Sequence, residues 1–279
     1  MSKVIVITGS NSGIGKETAL ELAKRGHTIV MVCRNEEKGK KAQEEIIKST
    51  GNENIHLMLC DLSSFANVKR FCEEFKNKFG YLDVLINNAG VMTYEREVTK
   101  DDFELHFQVN YLSPFLLTNL LLDRIRPGGR IINLSSMAHR AGKIHFDDIN
   151  LEKDFTMLKA YAQAKLAVIL FTHYLAKQLI DKRITVNCVH PGVIISNLGI
   201  YNDRKVLRWL LQRLKWMFSS PKKGAKTPIY LADSNEVSNI TGEYFYHKKV
   251  KKSSKLSYDE ELEKKLWDKS LEWLAPWIR

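Results

Sequence analysis

The chain has 279 residues, 44% hydrophobic and 27% charged, a balance that excludes a disordered, fibrous or low-complexity polypeptide and suits one large α/β domain. Its formal net charge of +11 is concentrated, because residues 204–226 hold eight basic side chains and no acidic one and residues 248–255 hold five lysines. The remainder is slightly acidic, so the basicity belongs to two late segments and no nucleic-acid partner is expected. Cys33, Cys60, Cys72 and Cys188 show no Cys-x-x-Cys pair or metal-ligand spacing, which reads as reduced thiols and no metal site. No stretch approaches the roughly 20 apolar residues that cross a bilayer. Met-Ser-Lys runs straight into a strand-like segment with no signal peptide, and a cytoplasmic protein is expected.

In chain order, short β-branched runs alternate with longer amphipathic stretches. Strands are expected at residues 4–8, 28–33, 55–60, 82–86, 130–134, 184–189 and 244–246. Helices are expected at residues 14–25, 36–49, 64–79 and 157–180, each of the first three with a polar face. This is the pattern of a doubly wound parallel sheet with helices on both faces, a single Rossmann-type domain over residues 1–279. Residues 196–220 are expected to form a substrate-covering lid and residues 257–279 a C-terminal helical extension. Within the lid, Val206, Leu207, Leu210, Leu211, Leu214, Met217 and Phe218 make an apolar stripe opposite Arg208, Gln212 and Lys215. Such a stripe covers a substrate or lies on an anionic membrane, and the two are compatible if the substrate is a lipid. Trp209, Trp216, Trp267, Trp273 and Trp277 suit helix packing and a homodimer contact equally. Residues 248–255 read as a solvated loop, and His139 and His190 as surface or packing residues.

The first strand ends in Thr8-Gly9-Ser10-Asn11-Ser12-Gly13-Ile14-Gly15, directly before a helix. Glycines allow a tight turn and close backbone approach, and a helix N-terminus offers free amides and positive dipole to a pyrophosphate. Asn87-Asn88-Ala89-Gly90 follows the fourth strand, Ser135-Ser136 the fifth and Pro191-Gly192 the sixth. Tyr161 and Lys165 lie four apart on one helical stretch and so share a face, where an ammonium favours phenolate and lowers the tyrosine pKa.

These ordered motifs, from Thr8 to Gly192, resemble the short-chain dehydrogenase/reductase family. The resemblance implies a catalytic tetrad of Asn110, Ser136, Tyr161 and Lys165. Tyr161 would be the general acid/base, Ser136 would hold the substrate oxygen, Lys165 would also reach the nicotinamide ribose, and Asn110 would position a water. Sequence alone leaves Ser135 as an alternative to Ser136, and Asn110 also reads as a capped or kinked helix position; the family pattern places the hydroxyl at the second serine. The implied cofactor contacts are Gly9, Ser10, Asn11, Ser12, Gly13, Ile14, Gly15, Arg34, Asp61, Leu62, Asn88, Ala89, Gly90, Tyr161, Lys165, Pro191 and Gly192.

NAD-preferring relatives generally carry an acidic residue where this chain has Cys33, and Arg34 can meet a 2′-phosphate, so NADP(H) is the expected cofactor. Ser12 departs from the second basic residue of many NADP-dependent relatives, leaving Arg34 as the principal selector. Segments 135–139, 144–148, 160–167, 190–193 and 242–245 look like the retinol dehydrogenase branch, with Ser196 where threonine is usual and no N-terminal anchor. That likeness implies interconversion of an alcohol and a lipophilic carbonyl. The alternatives are a steroid, sugar or acyl reductase, or a catalytically idle NADP(H)-binding sensor.

Overall fold

In a computed structural model, which describes residues 2–192 and 220–278, the strands are β1 (Val4–Thr8), β2 (Thr28–Cys33), β3 (Ile55–Leu59), β4 (Leu82–Asn87), β5 (Ile125–Leu134), β6 (Thr185–His190), β7 (Tyr244–Tyr246) and β8 (Lys249–Val250). The helices are α1 (Gly13–Ala23), α2 (Glu36–Thr50), α3 (Phe65–Lys78), α4 (Leu105–Phe107), α5 (Ser113–Leu121), α6 (Met157–Gln178), α7 (Pro221–Asp233), α8 (Glu260–Trp273) and α9 (Ala275–Ile278), with a π-helical turn, Gln108–Leu112, joining α4 to α5. The strands form one sheet in the order β3-β2-β1-β4-β5-β6-β7-β8, parallel throughout except for the β7–β8 pair.

Period-two alternation explains why helices cover both faces. Val4, Val6, Val30 and Val32 point into a core shared with Phe71 and Phe75 of α3, Phe115 of α5 and Leu170 of α6. Ile5, Ile7, Ile29 and Met31 point the other way, onto Leu22 of α1, Ile46 of α2 and Ile229 of α7. Helix boundaries follow local chemistry. Asn35 caps α2 by accepting from Lys38 N–H at 2.8 Å, and Gly51 ends it at φ 67°, in the left-handed region.

The C-terminal helices close the first core. Trp267 packs on Phe115 and Phe171, Trp273 on Phe103 and Phe107, and Trp277 on Phe65. The Tyr111 and Ser270 hydroxyls meet at 2.6 Å, and Lys177 reaches the buried Glu263 at 3.0 Å. Helix packing therefore occupies these three tryptophans; Trp209 and Trp216 lie outside the described residues, as do Val193, Ser196 and nearly all of the expected lid.

Two expectations need correction. β5 begins at Ile125, not residue 130, because Leu82 pairs with Ile125 across a register shift near Gly128, whose φ is 86°. Residues 248–255 are not all loop, since Lys249 and Val250 add an antiparallel edge strand to Phe245 and Tyr246 while the lysines stay exposed. Among the described residues, no helix is long and apolar enough to cross a membrane and no cluster of His, Cys, Asp or Glu could hold a metal ion.

Candidate active site

The chain runs outward through β1, β2 and β3, then returns to place β4 on the other side of β1. Such a reversal opens a crevice at the strands' C-terminal ends, which the loops after β1, β4, β5 and β6 line.

The loop after β1 is packed too tightly for side chains. Gly9 has φ 66°, and a Cβ there would lie 2.9 Å from Ala89 Cα; a Cβ on Gly15 would lie 2.5 Å from Asn88 Nδ2. The α1 N-cap, Ser12, makes no side-chain cap hydrogen bond, and the first turn has no acidic residue, so amides and positive dipole stay available to an anion. Ser10 is buried against Cys33 Sγ at 3.7 Å, with Asn11, Gly13 and Ile14 half-buried around it. Arg34 stands exposed beyond β2 with no ion-pair partner among the described residues. These features fit a dinucleotide pyrophosphate beside a cationic side chain. Asp61 is turned inward, accepting from Ser63 N–H at 3.0 Å and Ser63 Oγ at 2.7 Å, and Leu62 is buried beside it. Pro191 and Gly192 follow β6 and are half-buried, Gly192 with φ 94°.

The loop after β4 hangs from β1. Thr8 Oγ1 accepts from the N–H groups of Asn88 and Ala89, both at 3.0 Å, while Asn88 Nδ2 donates to Thr8 O at 2.7 Å. Asn110 then holds Val91 at both backbone groups, accepting from its N–H at 2.7 Å and donating to its carbonyl at 2.9 Å. It sits inside the π-helical turn, so the kinked-helix reading of this position also holds.

At the end of β5 the two serines part. Ser135 Oγ donates to Lys165 O at 2.9 Å and is buried, a structural bond. Ser136 is partly exposed, accepts from Ala138 N–H at 3.3 Å, and lies near enough to Tyr161 to lower the phenol pKa. Lys165 Nζ donates to Leu134 O at 2.9 Å and lies 5.5 Å from the Tyr161 ring centroid. Ser136, Tyr161 and Lys165 thus come together, Ser136 rather than Ser135 lying beside the tyrosine, while Asn110 holds Val91 of the loop after β4.

The expected lowering of the Tyr161 pKa is reversed. Burial holds the phenol above its ordinary value, and nearby Ser136 only partly opposes this. Burial also brings Lys165 down to about 8.

Both histidines are buried, so the surface alternative is wrong. His139 accepts from Ser254 N–H through Nε2 at 3.1 Å, which leaves its proton on Nδ1 to donate to Ser136 O at 2.6 Å. His190 stacks on Tyr246 with neither ring nitrogen partnered among the described residues, and burial lowers it to about 4. Sequence reasoning missed the loop-holding roles of Thr8 and His106, whose partners Asn88, Ala89 and Thr93 are distant in the chain, and missed Glu104, whose partners His106 and Phe107 are local.

A short chain dehydrogenase family model matches residues 3–205. Retinol dehydrogenase 13 of Mus musculus is 41% identical over 275 residues, covering 96% of this chain and 82% of that protein. Polyprenol dehydrogenase of Homo sapiens is 37% identical over 286 residues, covering 97% and 84%. L-Sorbose reductase from Gluconobacter frateurii, solved with NADPH and L-sorbose, superposes with a TM-score of 0.70 at 26% identity, covering 88% and 94%. The chain belongs to the short-chain dehydrogenase/reductase family. It is an oxidoreductase acting on CH–OH groups and their carbonyl counterparts with a nicotinamide cofactor.

The buried lysine makes a thermodynamic prediction. With a folded pKa near 8 against the ordinary lysine value of 10.5, the folded state binds fewer protons than the unfolded state between those values, so Lys165 contributes stability that rises with pH there. Below about 8 both states are protonated and the burial penalty, about 3 kcal/mol, is exerted in full. In urea unfolding, the stability of wild type relative to Lys165→Met is expected to rise by about 1 kcal/mol per pH unit above pH 8. A pH-independent difference would show that Lys165 titrates normally.

Proposed function

We propose that this chain is an NADP(H)-dependent reductase of lipophilic aldehydes or ketones, with Asn110, Ser136, Tyr161 and Lys165 as its catalytic residues. The observation that carries the reading is the buried Lys165 ammonium, 5.5 Å from the Tyr161 ring centroid and held by Leu134 O, with Ser136 beside the same tyrosine. The bound nicotinamide supplies the hydride. Ser136 donates a hydrogen bond to the carbonyl oxygen and Tyr161 Oη gives it a proton. A phenol held above its ordinary pKa keeps that proton at neutral pH, which suits carbonyl reduction. Lys165 offsets the charge left on Tyr161, and Asn110 links Lys165 to solvent through a water.

For the cofactor, the amides of residues 13–15 would hold the pyrophosphate, Asp61 and Leu62 the adenine side, Asn88, Ala89 and Gly90 the ribose side, and Pro191 and Gly192 the nicotinamide end. Arg34 would take the 2′-phosphate. For a lipophilic substrate, Met137, Leu158 and Tyr94 are 47%, 57% and 42% exposed; Met137 adjoins Ser136 and Leu158 lies one helical turn before Tyr161. Exposed apolar side chains beside a site favour an apolar ligand, and relatives named for retinol and polyprenol agree with this. The four buried free cysteines suit a cytoplasmic location.

A panel of short, aromatic and long-chain carbonyls with NADPH, followed by cofactor absorbance, is expected to give turnover that rises with apolar length. Tyr161→Phe is expected to lose nearly all of it with NADPH affinity almost intact. Inactivity across the panel would favour the sensor alternative, and near-normal turnover of the variant would refute the proton-transfer role.

Cofactor choice has its own test. A charge-assisted hydrogen bond contributes roughly 1.5–3 kcal/mol, so Arg34→Ala is expected to erode NADPH preference by about one to two orders of magnitude in kcat/KM. Adding Cys33→Asp is expected to favour NADH by repelling the 2′-phosphate. Equal wild-type efficiency with both cofactors overturns the assignment.

The reading extends to an anionic membrane surface. Lys222, Lys223, Lys226, Lys248, Lys249, Lys251, Lys252 and Lys255 are exposed, none ion-paired among the described residues, with Val250 and Tyr258 exposed among them. Sedimentation is expected with anionic vesicles at low salt and not with neutral ones. Equal behaviour with both lipids removes this extension.

A further inference from the structure

The helical turn ahead of Asn110 holds a side-chain pair that the tetrad does not use. Glu104 and His106 are both 0% exposed. A carboxylate is costly to bury unless its oxygens are paired. Here Oε1 accepts from His106 N–H at 2.9 Å and from His106 Nδ1, and Oε2 accepts from Phe107 N–H at 2.9 Å. The other ring nitrogen, Nε2, accepts from Thr93 N–H at 2.9 Å. A backbone N–H only donates, so Nε2 carries the lone pair and the proton sits on Nδ1, facing Glu104. The imidazole is neutral, in one tautomer, and held at both nitrogens.

Its position relates it to the chemistry. His106 and Asn110 are four residues apart, a spacing that puts both on one face of the helical turn. Asn110 grips Val91 and His106 grips Thr93. The two side chains therefore clamp backbone groups two residues apart on one loop. That loop continues directly from Asn88, Ala89 and Gly90. The His106 ring also meets the Tyr161 ring in a T-shaped contact, centroids 6.4 Å apart at 76°, with Phe155 at 6.2 Å. One imidazole therefore touches both walls of the crevice, the loop after β4 and the tyrosine of α6.

We propose that His106, backed by Glu104, is a positioning residue for the reaction: it fixes the Val91–Thr93 segment and the direction of the Tyr161 phenol. It acts through Thr93 and Tyr161 and exchanges no proton with substrate. The proposal rests on Tyr161 being the proton-transfer residue, and the experiment separates the two.

His106→Phe keeps a ring against Tyr161 and removes both hydrogen bonds, whereas His106→Gln keeps an acceptor that reaches Thr93 N–H. Misplacing a reacting group by about 1 Å can cost roughly 100-fold, so His106→Phe is expected to lower kcat about 10- to 100-fold with the NADPH dissociation constant within about twofold of wild type. His106→Gln is expected to recover most of kcat. Because His106→Phe takes a donor from a buried carboxylate, ¹⁵N NMR of wild type gives a reading that does not depend on the variant folding: the neutral His106 ring is expected as the Nδ1–H tautomer. A kcat within twofold of wild type in His106→Phe, equal losses in both variants, or an Nε2–H tautomer overturns the proposal. Tyr161→Phe, measured in parallel, isolates the underlying reading. If it is inactive while His106→Phe is fully active, only the positioning role fails; if it stays active, the proton-transfer assignment fails.

Discussion

The site depends on a reciprocal clasp between the end of β5 and the middle of α6. Lys165 Nζ donates to Leu134 O, and Ser135 Oγ donates back to Lys165 O, both at 2.9 Å. The two bonds run in opposite directions across one helix–strand contact, so α6 can neither slide along nor rotate on the sheet without breaking one of them. The clasp also decides which serine is available. Successive residues of extended chain point to opposite sides, and once Ser135 faces the helix backbone, Ser136 faces the crevice. The placing of Ser136 beside Tyr161 thus follows from a structural bond made by its neighbour.

Beneath the clasp, a polar chain crosses the interior. Asn87 Nδ2 donates to Thr118 Oγ1 at 3.1 Å and to Asn133 Oδ1 at 2.8 Å, Asn133 Nδ2 donates to Thr172 Oγ1 at 2.9 Å, and Thr172 Oγ1 donates to Val168 O at 2.8 Å. Buried amides are tolerated only when paired, so this chain specifies the mutual register of β4, β5, α5 and α6 more sharply than apolar contact does. The loops above it leave the sheet ladder, and their backbone groups need other partners. Thr8, Asn110, His106 and His139 supply these from side chains, which ties the loops after β4 and β5 to neighbouring elements.

Much of this architecture is written locally. Continuous β-branched runs mark buried parallel strands, and the glycine loop and the Tyr161–Lys165 spacing lie within single elements. What stays illegible is set by tertiary partners. Nothing near His106 says that one nitrogen meets Thr93 and the other Glu104, because the first pairing exists only after the chain folds back. β8 is hidden for a different reason: its connection to β7 uses His247 and Lys248 at φ 51° and 62°, where the usual sequence signal is Asn or Gly. The reversed tyrosine shift was illegible because spacing reports proximity to Lys165 and says nothing of the depth of burial.

Burial moves the two central groups in opposite directions, Tyr161 up and Lys165 down to about 8. Each shift has the same cause, the cost of a lone charge in a low-dielectric surrounding. A phenolate beside an ammonium is neutral as a pair, so that cost falls when charge develops on Tyr161 while Lys165 keeps its proton. The pair is therefore one in which Tyr161 rests protonated and charge on the phenol costs least while Lys165 is protonated. The Thr93 N–H that donates to His106 Nε2 holds the loop and, in the same hydrogen bond, sets the tautomer of the imidazole packed against the Tyr161 ring.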